Sequence, residues 1–119
     1  MVNRLLQDQR GFIWIATAQG LYRYDGTRFL PFIHNPEDST SLSSNHCKVL
    51  LEDKEGYIWI GTQGGGLNRL DPYSLSFQHF GHIEGEEQSL IHNEVLSLLE
   101  DREGNIWVGT EQGLSLIHI

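Results

Sequence analysis

Apolar residues along this chain fall in short runs with a period of two, broken by Gly, Asp and Asn. In the middle of the chain, CKVLLED (47–53) runs into YIWIGT (57–62) through a short charged stretch ending in Gly56. Alternation sets Ile58 and Ile60 on one side of the second run and Tyr57 and Trp59 on the other. Both sides are apolar, which predicts a strand buried on both faces. The DKEG segment reads as a hairpin turn. Asp53 caps it through its side chain, and Gly56 supplies the positive φ. QGGG (63–66) is the next turn, LNRLD (67–71) a third strand, PYSL (72–75) a turn and SFQHF (76–80) a fourth strand.

The pattern repeats. LLQDQRGFIWIATAQGL, LLEDKEGYIWIGTQGGGL and LLEDREGNIWVGTEQGL align, so that Trp14, Trp59 and Trp107 are 45 and 48 residues apart. Asp8, Asp53 and Asp101 keep those spacings, as do Gly11, Gly56 and Gly104. The second copy is longer by one residue between Thr62 and Leu67 and by two between Asp71 and Phe77, which accounts for 48 minus 45. All the length variation thus sits in turns, as it does among copies of one structural unit. In the first copy the third and fourth strands are linked by YDGTRF, where Asp-Gly is a hairpin signal. Thirteen-residue segments (34–46 and 81–93) lead from each fourth strand to the next first strand.

Four antiparallel strands per unit of ~45 residues, with both sheet faces apolar and a long return to a new first strand, predict an all-β chain of β-propeller blades. Each blade is a four-stranded antiparallel meander packed between two neighbours. The meander puts the return loops and the TQGG turn at one end, and the DKEG and third-to-fourth turns at the other. Each Trp is read as core between blades rather than as a sugar platform or cation cage. Residues 1–33 make a nearly complete blade, 34–80 a return loop and a full blade, and 81–119 a return loop and a blade cut after its third strand begins. These two and a half blades fall short of the about four to eight that close a ring. The outer faces of the end blades are then uncovered, which predicts association of the isolated chain.

The phrases LEDKEGYIWIGTQGGGLNRLD and LEDREGNIWVGTEQGL resemble the two-component regulator propeller repeat. That repeat reads acid-Asp-x-x-Gly-x-Ile-Trp-Ile/Val-Gly-Thr, then a Gly turn and Leu-x-Arg-Tyr/Leu-Asp. GLYRYDGTRF, SLSSNHCKV and SLIHNEVLS resemble the rest of its pattern, so the resemblance covers nearly the whole chain. Ala16 departs from it where the other copies have Gly61 and Gly109. The resemblance implies a parent protein of the hybrid histidine kinase kind. Its periplasmic propeller would sense a ligand, often an oligosaccharide, and the remaining blades would complete the ring. The GFIWIATAQGLYRYDGTRF form resembles an opening blade. The tail LSLIHI (114–119) departs from Leu-x-Arg and resembles the translated end of a sequencing adapter, so Ser115 to Ile119 carry no functional weight; taken as chain, they alternate well enough for a third strand.

Bulk properties narrow the class. Eight Lys plus Arg against sixteen Asp plus Glu give a formal charge of −8. That disfavours nucleic acid and anionic membrane as partners, since both select basic surfaces. Cys47 stands alone, which excludes an internal disulfide and a Cys-based zinc site. No apolar run approaches the ~20 residues of a membrane span. The opening MVNRLLQDQRG has no apolar core of a signal peptide, so an exported form would take its address from elsewhere.

Candidate chemistry is sparse, and no cofactor is implied. His79 and His82 have H-x-x-H spacing but straddle a strand end with no carboxylate fixed beside them, so no metal site is expected. The acid pairs Glu52/Asp53 and Glu100/Asp101 recur once per blade, as turn caps do and a catalytic pair does not. QGGG opens a strand rather than a helix, so it is no phosphate cradle. The expected ligand site lies at the end shared by the return loops and the TQGG and TEQG turns, where His46, Gln63, His92 and Gln112 offer amide and imidazole groups suited to sugars. Asn45 and Asn93 are read as shaping the start of the first strand. Two other classes stay open: a propeller glycosidase or lyase, and a WD40-like interaction scaffold. Against these, DKEG has two residues between Asp and Gly where the sialidase-type box has one, and no Trp is followed by Asp.

Overall fold

The structure of the chain is a computed structural model, and it describes residues 1–81, 90 and 92–117. Strands β1 (Val2–Gln7), β2 (Ile13–Thr17), β3 (Gly20–Tyr24) and β4 (Phe29–Phe32) form one sheet in chain order. Strands β5 (Cys47–Glu52), β6 (Ile58–Thr62), β7 (Leu67–Leu70) and β8 (Phe77–Phe80) form a second sheet, also in chain order. The third sheet is three-stranded, from β9 (Val95–Glu100), β10 (Ile106–Thr110) and β11 (Gly113–Ile117). Every pairing is antiparallel. The chain is all-β, and no helix is described between residues 49 and 80.

The first strands β1, β5 and β9 stand side by side, and the three sheets fan out from them. Each first strand carries an irregularity after its first residue, at Asn3, Lys48 and Leu96. Such bulges re-aim a side chain and sharpen the twist. Here two of those side chains reach the next blade. Asn3 Nδ2 donates to the Cys47 carbonyl at 2.8 Å, and Lys48 Nζ meets Glu94 Oε1 at 3.3 Å.

The core lies between blades. Trp14, Ala16 and Leu21 of the first blade pack on Cys47, Ile58, Ile60 and Leu70 of the second, with Leu42 of the connecting loop closing the gap. Trp59 and Leu67 pack in the same way on Val95, Ile106, Val108 and Ile117, with Leu90 in the place of Leu42. All five residues of β6 are buried, as expected for a strand apolar on both faces. Burying a Trp removes about 150–250 Å² from water, an upper contribution of roughly 4–6 kcal/mol.

The Gly-to-Ala difference has a packing explanation. A Cβ added at Gly61 would lie 2.5 Å from both Val49 Cγ2 and Val95 Cγ1. In the first blade the residues at those two positions are Arg4 and Cys47. Cys47 is unbranched at Cβ, and Ala16 and Cys47 are fully buried in one cluster. At Gly109 an added Cβ would clash with Ser97 Oγ.

The tail of the third blade forms the third strand that its alternation allows. Leu114 to Ile117 continue a complete third strand, paired with the whole of β10 from Ile106↔Ile117 to Thr110↔Gly113. Ser115 and Ile117 are buried while Leu114 is exposed, so alternation alone suffices to form the strand. His118 and Ile119 lie outside the described residues.

Candidate functional site

The repeated phrase resolves into one hydrogen-bonded unit. Asp53 Oδ1 accepts the backbone N–H groups of Glu55 (2.9 Å) and Tyr57 (3.0 Å), and Oδ2 accepts the indole N–H of Trp59 at 2.8 Å. Asp8 does the same with Arg10, Phe12 and Trp14, the indole bond again 2.8 Å. Asp101 does so with Glu103, Asn105 and Trp107, the indole bond being 2.9 Å. Gly11, Gly56 and Gly104 take φ of 89°, 89° and 86° to close each turn. The Trp107 indole, with the other donors, holds the Asp101 carboxyl down to about 2. The motif Asp, Gly and Trp residues are therefore structural in all three blades.

The Glu before Asp53 and the Glu before Asp101 each act on the neighbouring blade. Glu52 Oε2 accepts the backbone N–H of Gln9 at 3.1 Å, and Glu100 Oε1 accepts that of Lys54 at 3.0 Å. Each acid pair thus caps two turns, its own and that of the preceding blade. The Arg of Leu-x-Arg stacks on rings of its own blade: Arg23 lies 4.5 Å from the Phe12 centroid, and Arg69 4.6 Å from that of Tyr57. In the third blade Asn105 replaces the ring and Leu116 stands opposite Trp107 in place of Arg.

The opposite end holds the expected ligand residues. There the TQGG turn sits between two segments that lead into first strands. On one side, Gln63 N–H donates to the His46 carbonyl (2.9 Å), Ser44 Oγ to the Gln63 carbonyl (3.2 Å) and Ser43 Oγ to the Gly65 carbonyl (2.8 Å). On the other, the N–H groups of Gly64 and Gly66 both donate to the Asn93 carbonyl, at 3.1 and 2.9 Å. Gly64 and Gly66 adopt φ of 88° and 77°, which brings the backbone within reach of Asn93. Asn45 ties the loop across itself, its Oδ1 accepting from His34 N at 2.6 Å. Both Asn residues shape the path into the first strand.

Of the four candidate ligand residues, His46 and Gln63 are brought together by their main-chain bond, with Gln63 exposed and His46 half-buried. His92 is half-buried, and its Nδ1 accepts the N–H of Glu94 at 3.1 Å. Gln112 is exposed in the TEQG turn, its N–H donating to Thr110 Oγ1 at 3.3 Å. The residues equivalent to His46 and Gln63 in the third blade are Glu94 and Glu111, whose N–H and carbonyl form the same bond at 3.1 Å. His92 and Gln112 are offset from them. The same end carries Ser43, Ser44 and Glu94, which counting back from Cys47 and Val95 would have found, and Lys48 just after Cys47.

His79 Nε2 is engaged with the Ser41 carbonyl at 2.5 Å, and His82 lies outside the described residues. Among the described residues no group of three His, Cys, Asp or Glu is placed to hold a metal ion. A cleft of about 560 Å³ on the outer rim is lined by Phe32, His34, Asn35, Asp38, Leu75 and Phe77 among others. Its polar rim is internally satisfied: Asp38 Oδ1 accepts from Thr40 N and Oγ1, and Ser41 Oγ accepts from Asn35 N. The cleft therefore offers less than the loop end does.

Sheets that stack face to face around side-by-side first strands, each clasped by its own Asp–Trp bond, are consecutive blades of a β-propeller. Residues 41–64 and 89–112 match the family model described as two component regulator propeller, and these stretches are repeats of that kind. Solved structures agree. The extracellular domain of a protein described as a hybrid two component system from B. thetaiotaomicron is similar over 99% of this chain, with 30% identity and a TM-score of 0.84. Another such domain from the same organism covers 98% of the chain at 30% identity and a TM-score of 0.77. Histidine kinase P4 of Formosa agariphila is 49% identical over 37 residues, which is 31% of this chain. The chain spans 18% and 16% of the two solved domains and 3% of that kinase. No helix among the described residues is long and apolar enough to cross a membrane.

Proposed function

We propose that these blades belong to the sensor propeller of a two-component signalling regulator, lying outside the cytoplasm and recognising an oligosaccharide without turning it over. The observation that supports this most is the loop end. Exposed Gln63 and half-buried His46 share one hydrogen-bonded frame with Ser43, Ser44 and Asn93. Hydroxyl, amide and imidazole groups match the alternating donors and acceptors of a sugar. The two solved relatives, both extracellular domains of two component systems, support the setting. Remaining blades of a parent chain would complete the channel mouth, and a kinase module would carry the signal onward.

The proposed contacts are His46, Gln63, His92 and Gln112. The test is calorimetric titration of the whole sensor domain with a panel of oligosaccharides from polysaccharide digests, comparing wild type with the single Ala variants at these four positions. At least one variant should weaken binding of the recognised oligosaccharide about tenfold or more while melting normally, as truncating one sugar-contacting group costs roughly 1–2 kcal/mol. Wild-type affinity in all four would place the site on other blades. Release of cleaved sugar during the titration would favour a propeller enzyme instead.

A further inference from the structure

Among the described residues a single ion pair is formed, and it stands at the loop end, where Lys48 Nζ lies 3.3 Å from Glu94 Oε1. Lys48 is the bulge residue of β5, the position that Asn3 holds in β1 and Leu96 in β9. Glu94 holds in the third blade the place of His46 in the second: Gln63 N–H donates to the His46 carbonyl and Glu111 N–H to the Glu94 carbonyl. The bulge thus sends the ammonium from beside His46 across to the next blade's equivalent of His46. Both ends of the pair lie within the chain, between its second and third blades.

Stability gives little reason for a charged pair here. Part-exposed pairs of this kind contribute little. In the first blade a neutral side chain does the tethering from the same bulge position, Asn3 Nδ2 donating to the Cys47 carbonyl at 2.8 Å. The pair also leaves hydrogen-bonding capacity over. The contact uses one of three ammonium protons and one of two carboxylate oxygens, and neither group has a second partner among the described residues. The His46 ring and the Gln63 side-chain amide likewise bond to no described residue.

Resting on the reading of this end as an oligosaccharide site, we propose that Lys48 and Glu94 together make it selective for neutral sugars, the ammonium donating to one hydroxyl and the carboxylate accepting from its neighbour. A hydroxyl both donates and accepts, so two adjacent hydroxyls satisfy a fixed donor set beside a fixed acceptor. A uronate carboxylate only accepts. It would find the Lys48 charge already neutralised and would bring a second negative charge against Glu94. Exposed Glu111 at the same end and the formal charge of −8 add to that repulsion.

Calorimetric titration of the whole sensor domain with two panels tests this: neutral oligosaccharides from galactan, mannan and xylan, and oligogalacturonates of the same lengths. Wild type should bind a neutral member more tightly than any oligogalacturonate. Lys48→Met and Glu94→Gln, each checked to melt as a folded domain, should weaken that neutral ligand about tenfold or more. Glu94→Gln should at the same time tighten the oligogalacturonates about two- to fivefold, because the ammonium then stands unopposed. A merely structural pair would leave the preference between panels unmoved. Wild-type affinity for the neutral ligand in both variants would overturn the proposal, and loss in His46→Ala or Gln63→Ala alongside it would leave the oligosaccharide site standing. A wild type that prefers oligogalacturonates would overturn the neutral selection alone. Binding of neither panel would overturn the oligosaccharide reading and this inference with it.

Discussion

Replacing Asp53 by Ala removes three hydrogen bonds at once, and their surroundings set the cost. The Trp59 indole is fully buried, so its N–H at 2.8 Å from Oδ2 would lose its partner away from water. An orphaned buried donor costs about 1–3 kcal/mol. The N–H groups of Glu55 and Tyr57 are part-buried and would partly rehydrate, adding about 0.5–1.5 kcal/mol together. The sum is a destabilisation of roughly 2–4 kcal/mol. Urea unfolding followed by far-ultraviolet circular dichroism measures it. The mechanism is separated from general damage by a double-mutant cycle with Trp59→Phe, which has no N–H to orphan. On that background Asp53→Ala should cost about 1–2 kcal/mol less than on wild type. Additivity within about 0.3 kcal/mol would refute the clasp as the source of the effect.

The remaining expectations follow from other contacts. Gly61→Ala should destabilise by about 1–3 kcal/mol through overpacking, and Val95→Ala added to it should recover part of that, because one of the two 2.5 Å clashes goes with Val95 Cγ1; urea midpoints compare the pair. The Asp101 carboxyl sits at about 2 against an ordinary 3.8, so its contribution is fully present above pH 3.8 and lost as pH falls toward 2. In an acid titration Trp107 emission should change over that window, and Asp101→Asn should flatten the change. Burial pushes the Cys47 thiol up from 9.0 to about 12, so the stability tied to it is full below pH 9 and lost as pH rises toward 12. At neutral pH a disulfide reagent should label Cys47 only as fast as the chain opens, and labelling at the rate of a free thiol would contradict its burial. Lys48→Ala, which breaks an ion pair with 29% and 21% of its side chains exposed, should cost under about 1 kcal/mol by thermal melting.

The sheets were legible because residues such as Ile58, Trp59 and Ile60 are apolar on both sides of a period-two run, and because three copies fix where one unit ends. The Asp capping of the turns was legible from the Asp-x-x-Gly spacing. The Asp-to-indole bond was not: six residues separate Asp53 from Trp59, and only the hairpin register brings Oδ2 beside Nε1. Position alone assigns Glu52 and Glu100 to their own turns, but they reach turns of the preceding blade some 43 and 46 residues away, a contact that pattern cannot show. PYSL is legible as a turn, but nothing in it announces that Leu75, which is not Gly, ends that turn at φ 60°. At the loop end, the main-chain bonds show His46 and Glu94 to be equivalent, so His92 stands two residues before the position that His46 holds.

The claim that these blades sense for a signalling protein is tested most directly by sequencing the open reading frame that encodes them through to its end. The account predicts further blades with the Asp-x-x-Gly-x-Ile-Trp phrase, then a membrane-spanning segment and a histidine kinase module. A frame that closes its propeller and continues into a hydrolase or lyase module, or ends with no signalling module, would contradict it.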